Sequence, residues 1–143
     1  MAFRWPDRIP AGERIDTPVI GLDFLPTFIG ISGGGLDGIP HDGSDLMPLP
    51  GGAGGFEGDR PLFWRHAGPR GDVAMLDEPW KLVWRRRADR RPELYDLSED
   101  PGESTDLSEA EPDRLAAMLD AVAGWESELE VPRWGPGSEP ASK

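Results

Sequence analysis

The stretch Pro92 to Leu107, PELYDLSEDPGESTDL, constrains the fold of this chain more than any other. Glu93 to Leu97 carries Leu94, Tyr95 and Leu97, residue types that suit a pleated, half-buried surface. It stops at Ser98-Glu99-Asp100, and Asp100-Pro101-Gly102-Glu103 reads as a tight turn. Pro101 presets φ at the second turn position and Gly102 can supply φ > 0 at the third, which is type II chemistry. Polar residues run on to Asp106, and a helix follows. Ser108-Glu109-Ala110-Glu111 matches the S-x-x-E capping box. Pro112 is the alternative first helical residue, because an N-terminal proline gives up no needed N–H. Leu115, Met118, Leu119, Val122, Trp125 and Leu129 then recur at helical spacing and form one apolar face.

A helix with one apolar face needs something to cover, and the sequence supplies it upstream. Pro61 to His66 (PLFWRH), Val73 to Leu76 and Trp80 to Trp84 (WKLVW) read as strands. In the third, Trp80, Leu82 and Trp84 alternate with Lys81 and Val83. Connections this short join antiparallel neighbours. The expectation is a four-stranded antiparallel sheet over about 61–97, covered by a helix over about 112–129. Between the third and fourth strands lies Arg85 to Arg91 (RRRADRR), with five arginines and one aspartate. In an acidic chain this reads as a solvated hairpin tip, with anion binding as the functional alternative.

The first half is built differently. Asp23 is placed to cap a helix over about 24–32, its carboxylate and charge both suited to the first turn. Pro26 sits within that turn. Leu25, Phe28, Ile29 and Ile31 are its apolar residues, and Gly33 its end. From Gly33 to Asp59 the chain is rich in glycine and turn pairs, a long connection of the kind that carries function or motion. The organisation expected is residues 1–50 as one part, 51–60 as a Gly-rich linker, 61–131 as a second part, and 132–143 as a disordered tail of Gly, Pro, Ser and Glu. Gly 19 and Pro 16 among 143 residues approach the level of low-complexity chains, but Trp 6 and Phe 5 argue for a folded, loop-rich protein.

The net charge of −12 and pI near 4.5 argue against a general binder of nucleic acid or of anionic membranes, both of which need a basic face. Cys 0 rules out disulfides and thiolate metal sites. Met1 to Pro10 contains no apolar core of a signal peptide, and no stretch is long and apolar enough to span a membrane. The compartment is left open.

ELYDLSEDPGESTDL resembles the segment that closes the C-terminal subdomain of the type I sulfatases, formylglycine-dependent sulfuric ester hydrolases with an alkaline-phosphatase-like fold. Three further blocks resemble the same family in the same order. Arg4 to Gly33 (RWPDRIPAGERIDTPVIGLDFLPTFIGISG) is similar to a Trp-Pro-Gly element followed by an Asp-x-x-Pro-Thr helix, with Asp7 where the family usually has Gly. His41 to Gly52 (HDGSDLMPLPGG) is similar to an Asp-Gly-x-Ser-Leu loop, with Asp45 intervening before Leu46. RPLFWRH and EPWKLVW resemble paired strands of the C-terminal sheet. The resemblance covers the chain to about Leu129. It implies an α/β fold, α+β in the part covered: the end of an alkaline-phosphatase-like α/β domain, then a small antiparallel sheet under a C-terminal helix. It also implies that the 24–32 helix exposes apolar surface, because the large parallel sheet it would pack on is not encoded here.

The family's chemistry implies residues this chain does not carry. Formylglycine is made from Cys or Ser in a Cys/Ser-x-Pro/Ala-x-Arg motif, and neither Ser32 nor Ser44 begins one. The family's calcium ligands, mainly Asp and Asn, and the Lys and His that hold the sulfate match no block present. Calcium and formylglycine are therefore implied for a full-length relative and not for these residues. Met1 falls where the family has mid-strand, so a truncated product or incomplete gene model is expected, whose partner is a missing N-terminal catalytic segment. The substrate implied is a sulfated carbohydrate or aryl sulfate.

His66 resembles a histidine at the rim of the family's substrate pocket, where it can donate a hydrogen bond to a sugar or anionic group; an ordinary strand-end residue is the plain alternative. Arg70 is a second rim candidate and His41 a loop residue. No carboxylate pair marks a glycosidase-like acid/base couple. Two function classes stand: a non-catalytic C-terminal part of a sulfatase, and a free-standing acidic interaction module. A fragment of a related phosphodiesterase or phosphonate hydrolase is a third.

Overall fold

The computed structural model describes residues 1–52, 56, 58, 60–66, 68 and 71–130. The chain divides into two compact units, with the boundary between Arg60 and Pro61. The expected tail lies outside the described residues.

The second unit holds β1 (Leu62–His66), β2 (Asp72–Asp77), β3 (Trp80–Trp84), β4 (Glu93–Asp96) and α2 (Pro112–Glu128). The four strands form one antiparallel sheet in the order β1-β2-β3-β4. Register aligns Phe63 with Met75, Met75 with Leu82 and Leu82 with Leu94, so strand alternation brings these side chains onto one face. α2 covers that face. Val73, Met75, Leu82, Leu94, Met118 and Val122 form its buried core, flanked by Phe63, Trp80, Trp84, Leu115 and Leu119. Leu82 and Leu94 are fully buried at 0% exposure. Burying such side chains contributes about 1.5–3 kcal/mol each. Phe63 stacks on Trp125 with ring centroids 5.1 Å apart, and the Arg114 guanidinium lies 4.5 Å from the Trp80 ring. The expected sheet and cover helix are both present. Leu119, on the expected apolar face, is half-buried against this core, and Met118 and Val122 take the centre of the helix face.

Residues after β4 behave as an extra edge to it. Leu107 N–H donates to Leu94 O at 2.8 Å, and Leu94 N–H donates to the Asp106 carboxylate at 3.0 Å. Both main-chain groups of Leu94 are thereby satisfied beyond the last strand. Asp106 also accepts from Ser108 N–H and Oγ–H. Burial pushes its carboxyl up, but these donors together bring it below the ordinary range. Ser108 is thus tied to Asp106, and the capping box does not form. Glu111 holds the N-cap position with no side-chain bond, and Pro112 opens the helix. The turn also differs from the type II expectation. Gly102 is not at positive φ; Glu103 is, at 53°. Glu103 N–H reaches Asp100 O at 3.1 Å. Lys81 Nζ pairs with the Glu103 carboxylate, and the Asp100 carboxylate accepts from Ser104 and Thr105 N–H. These bonds hold a left-handed conformation that glycine would adopt freely.

The first unit holds α1 (Phe24–Ile31) and its loops. α1 is inverted relative to an ordinary amphipathic helix. Pro26 and Thr27 are its buried residues, whereas Leu22 just before it and Leu25, Phe28 and Ile31 within it are exposed, Phe28 at 59%. Phe24 stacks on Phe28 and meets Phe3 edge-on, extending the same apolar surface. The expected exposure of this helix is present.

Candidate functional site

Asp23 is the most buried charged residue described, at 0% exposure; it holds the N-cap position of α1, as expected, but its carboxylate makes no cap bond to that helix. Its Oδ2 accepts Ile20 N–H at 2.8 Å. Its Oδ1 accepts Ser44 N–H at 2.8 Å and Arg60 Nη2–H at 2.5 Å. Thr27 completes the arrangement: its Oγ1–H donates to Asp23 O at 2.6 Å, and the same oxygen accepts Leu46 N–H at 2.9 Å. Asp23 and Thr27 of Asp-x-x-Pro-Thr therefore fasten the Asp42-Gly43-Ser44-Asp45-Leu46 loop onto α1. Gly43 belongs to this joint, because a Cβ there would lie 2.1 Å from Leu22 O. The cap position is as expected but the cap bond is not made, because the carboxylate turns from the first-turn N–H groups of α1 to Ile20, to Ser44 21 residues away and to Arg60. Fully engaged, Asp23 is structural, and it has no free oxygen poised for chemistry.

His41 lies in the loop beside this joint, exposed, with Nδ1 3.0 Å from Ile39 O. With Ser44 and Asp45 it lines an open groove of about 430 Å³. The structure brings no base–nucleophile hydrogen bond to His41 among the described residues.

His66 ends β1, exposed, directly opposite Asp72 at the start of β2. Alternation puts it with Trp64 on the sheet face away from α2, and Trp64 is 40% exposed. Before β2, Gly71 N–H donates to Gly68 O at 2.9 Å. A Cβ at Gly71 would lie 1.6 Å from His66 O, so glycine is required there. Asp72 reaches across to the next connection and accepts Arg87 N–H at 2.9 Å. His66, Asp72 and Arg87 are thus collected at one end of the sheet. Arg70 lies outside the described residues. An exposed imidazole on a rigid strand end can donate or accept one hydrogen bond to a bound group, which suits recognition more than bond breaking. Asp72 was not singled out by sequence reasoning, and Arg87 only as part of the Arg85 to Arg91 run; the signal that could have found Asp72 is Gly71-Asp72 just before the expected Val73 to Leu76 strand.

The arginine run is not one solvated tip. Arg86 makes two parallel 2.9 Å hydrogen bonds to the Glu126 carboxylate on α2, and its guanidinium lies 4.2 Å from the Trp84 ring. Arg65 adds a 4.0 Å contact to the same carboxylate. Arg85 pairs with Glu93. Arg87, Arg90 and Arg91 remain exposed and form no ion pair among the described residues. No group of three or more His, Cys, Asp or Glu able to hold a metal is brought together among the described residues.

Comparison with known proteins gives this architecture a class. No family model matches the chain. It is 31% identical over 145 aligned residues to arylsulfatase A of Bos taurus, covering 85% of this chain and 28% of that protein. It is 47% identical over 49 residues to human steryl-sulfatase, covering 33% of this chain and 8% of that protein. The crystal structure of Ps i-CgsB superposes on 92% of this chain and 29% of that one, with a TM-score of 0.78 and 26% identity, and the match is the same in its complex with k-i-k-neocarrahexaose. BT33336S-sulf of Bacteroides thetaiotaomicron shares the fold, at a TM-score of 0.55 and 15% identity over 74% of this chain. These matches define a sulfatase-like protein of alkaline-phosphatase-like fold. More narrowly, the chain is a C-terminal sulfatase-like portion, spanning less than a third of the length of each relative named.

Proposed function

We propose that these residues serve as the C-terminal, non-catalytic part of a sulfuric ester hydrolase, giving it structure and one rim of its substrate pocket. The observation that carries this reading is the inverted α1. Leu22, Leu25, Phe28 and Ile31 turn outward from their own unit, and an apolar face of this kind is made to be covered. The occupant that fits is the larger α/β part of such an enzyme, since the same fold portion sits within chains more than three times as long in the relatives. His66, on the sheet face left free by α2, then contributes a hydrogen bond to a sugar hydroxyl or a sulfate oxygen. The complex of Ps i-CgsB with k-i-k-neocarrahexaose supports a sulfated carbohydrate as the substrate class.

Relatives imply calcium and formylglycine for the whole enzyme. The residues described here do not fit either role. Asp23, the buried carboxylate, is consumed by Arg60 and two main-chain donors, and the chain holds no Cys and no Ser that begins a Cys/Ser-x-Pro/Ala-x-Arg motif. Neither group is therefore placed on this chain. The test is a longer protein in which a catalytic segment bearing the formylglycine motif precedes these residues. It should release phenol from an aryl sulfate, and His66→Ala in it should raise KM with kcat little changed, as expected for loss of uniform binding. A drop in kcat with KM unchanged would place His66 in the chemistry and overturn the rim role.

A further inference from the structure

Arg87, Arg90 and Arg91 are three exposed cations whose side chains form no ion pair among the described residues, in a chain whose net charge is −12. Their neighbours in the run are neutralised, Arg85 by Glu93 and Arg86 by Glu126, so these three, with Asp89 between Arg87 and Arg90, are the charges the connection presents outward. A merely solvated tip would be free to move. This one is pinned at several points. Arg87 N–H is held by the Asp72 carboxylate at 2.9 Å, and Arg90 O accepts the Trp84 indole N–H at 3.0 Å. Ala88 and Asp89 N–H close onto Arg85 O and Arg86 O, both at 3.1 Å, and Asp89 takes the left-handed conformation, φ 52°, that completes the loop. The main chain under Arg87 and Arg90 is therefore fixed, which lowers the ordering cost of binding. Guanidinium groups offer forked donors that match a tetrahedral oxyanion. Asp72 faces His66 across the β1–β2 register, so the loop and His66 share one end of the sheet.

The geometry points to a polyanion-binding subsite on the connection after β3, in which Arg87, Arg90 and Arg91 engage sulfate groups of a glycan beyond the one at the reacting position. The choice of a sulfated glycan rests on the sulfatase reading; the preorganised cationic surface does not. Such a subsite would hold a polymeric substrate along its length and make short, singly sulfated substrates bind more weakly.

The probe is a heparin-derived octasaccharide, titrated calorimetrically into the 143-residue protein, with its chemically desulfated counterpart and an equally charged DNA duplex alongside. The sulfated oligosaccharide should bind, and more weakly as salt rises. Arg87→Ser/Arg90→Ser/Arg91→Ser should weaken it about tenfold or more, the scale of several surface ion pairs lost together. Arg14→Ser, an exposed arginine of the first unit paired with Asp16, should not weaken it. Thermal melts of the triple variant should match the parent, because the three side chains are exposed and make no side-chain hydrogen bond or ion pair among the described residues. No binding, binding unchanged in the triple variant, or equal affinity for the desulfated sugar would overturn the subsite. Equal or tighter binding of the duplex would overturn the glycan assignment. Because this titration requires no turnover, a failure of the longer protein to hydrolyse aryl sulfate leaves it intact, and the reverse holds too.

Discussion

Arg86→Ser should cost the second unit far more than an exposed arginine in the same run. The guanidinium makes two 2.9 Å bonds to Glu126, with both side chains less than one-fifth exposed, at 18% and 17%. A charge-assisted hydrogen bond contributes about 1.5–3 kcal/mol, and a guanidinium over Trp about 0.5–2 kcal/mol depending on burial. Desolvating the pair offsets part of this, and Arg65, 4.0 Å away, keeps Glu126 from being left alone. A net loss of about 2–3 kcal/mol follows, against about 0.5 kcal/mol or less for Arg87→Ser at an exposed site. For a unit of this size that separates the two melting temperatures by roughly 10 °C. A double-mutant cycle of Arg86→Ser with Glu126→Gln should return a coupling above about 0.5 kcal/mol. If Arg86→Ser and Arg87→Ser melt together, the tie between the β3–β4 connection and α2 is not formed in solution.

Other substitutions probe the remaining contacts. Met118→Ala should destabilise by about 2–5 kcal/mol in urea unfolding, and more than Leu119→Ala, which removes a half-buried side chain; the reverse order would mean that α2 is rotated on the sheet. Asp23→Ala should cost the first unit about 3–5 kcal/mol, the scale of breaking a buried charge pair, whereas a loss near 1 kcal/mol would fit a simple cap. Acid should weaken the second unit. Asp96 is lowered chiefly by the Ser98 hydroxyl, Asp100 chiefly by Thr105 N–H, and Asp106 is lowered net. Carboxyls lowered in the fold add stability that is present above their unfolded pKa of about 3.9 and lost as pH falls through the folded value. Urea midpoints should therefore hold from neutrality to about pH 5 and drop below about pH 4, and a midpoint flat to pH 2 would contradict the hydrogen bonds drawn for these groups.

Periodic features were legible in the sequence because they report burial directly. The alternation of Trp80, Leu82 and Trp84 and the spacing of Met118 and Val122 placed the core before any coordinate did, and the structure sets Leu82 and Val122 inside it. Polar details were less legible, since their partners are remote in sequence. Nothing near Asp23 signals Ser44 or Arg60, so local capping rules gave its carboxylate the wrong donors. Five arginines in a run look alike until the fold brings Glu126, 40 residues on, to Arg86. At Asp100-Pro101-Gly102-Glu103 the glycine drew the left-handed assignment, but Lys81 and the Asp100 carboxylate hold the adjoining residues so that Glu103 takes it. His66 was reached through resemblance. Its own surroundings show an exposed strand end whose partners, Gly71 and Asp72, emerge from the hairpin.

The division of labour proposed for this chain is tested most directly by aryl-sulfate turnover of the purified 143 residues. Metal and electrostatic stabilisation supply several kcal/mol of such a barrier, and each 1.36 kcal/mol is tenfold in rate. With no formylglycine precursor among its residues, the chain should release no coloured phenol above the uncatalysed rate, with or without added calcium or a formylglycine-generating enzyme. Turnover that follows the protein through every purification step, and survives His66→Ala, would contradict a non-catalytic role and require a nucleophile among these residues.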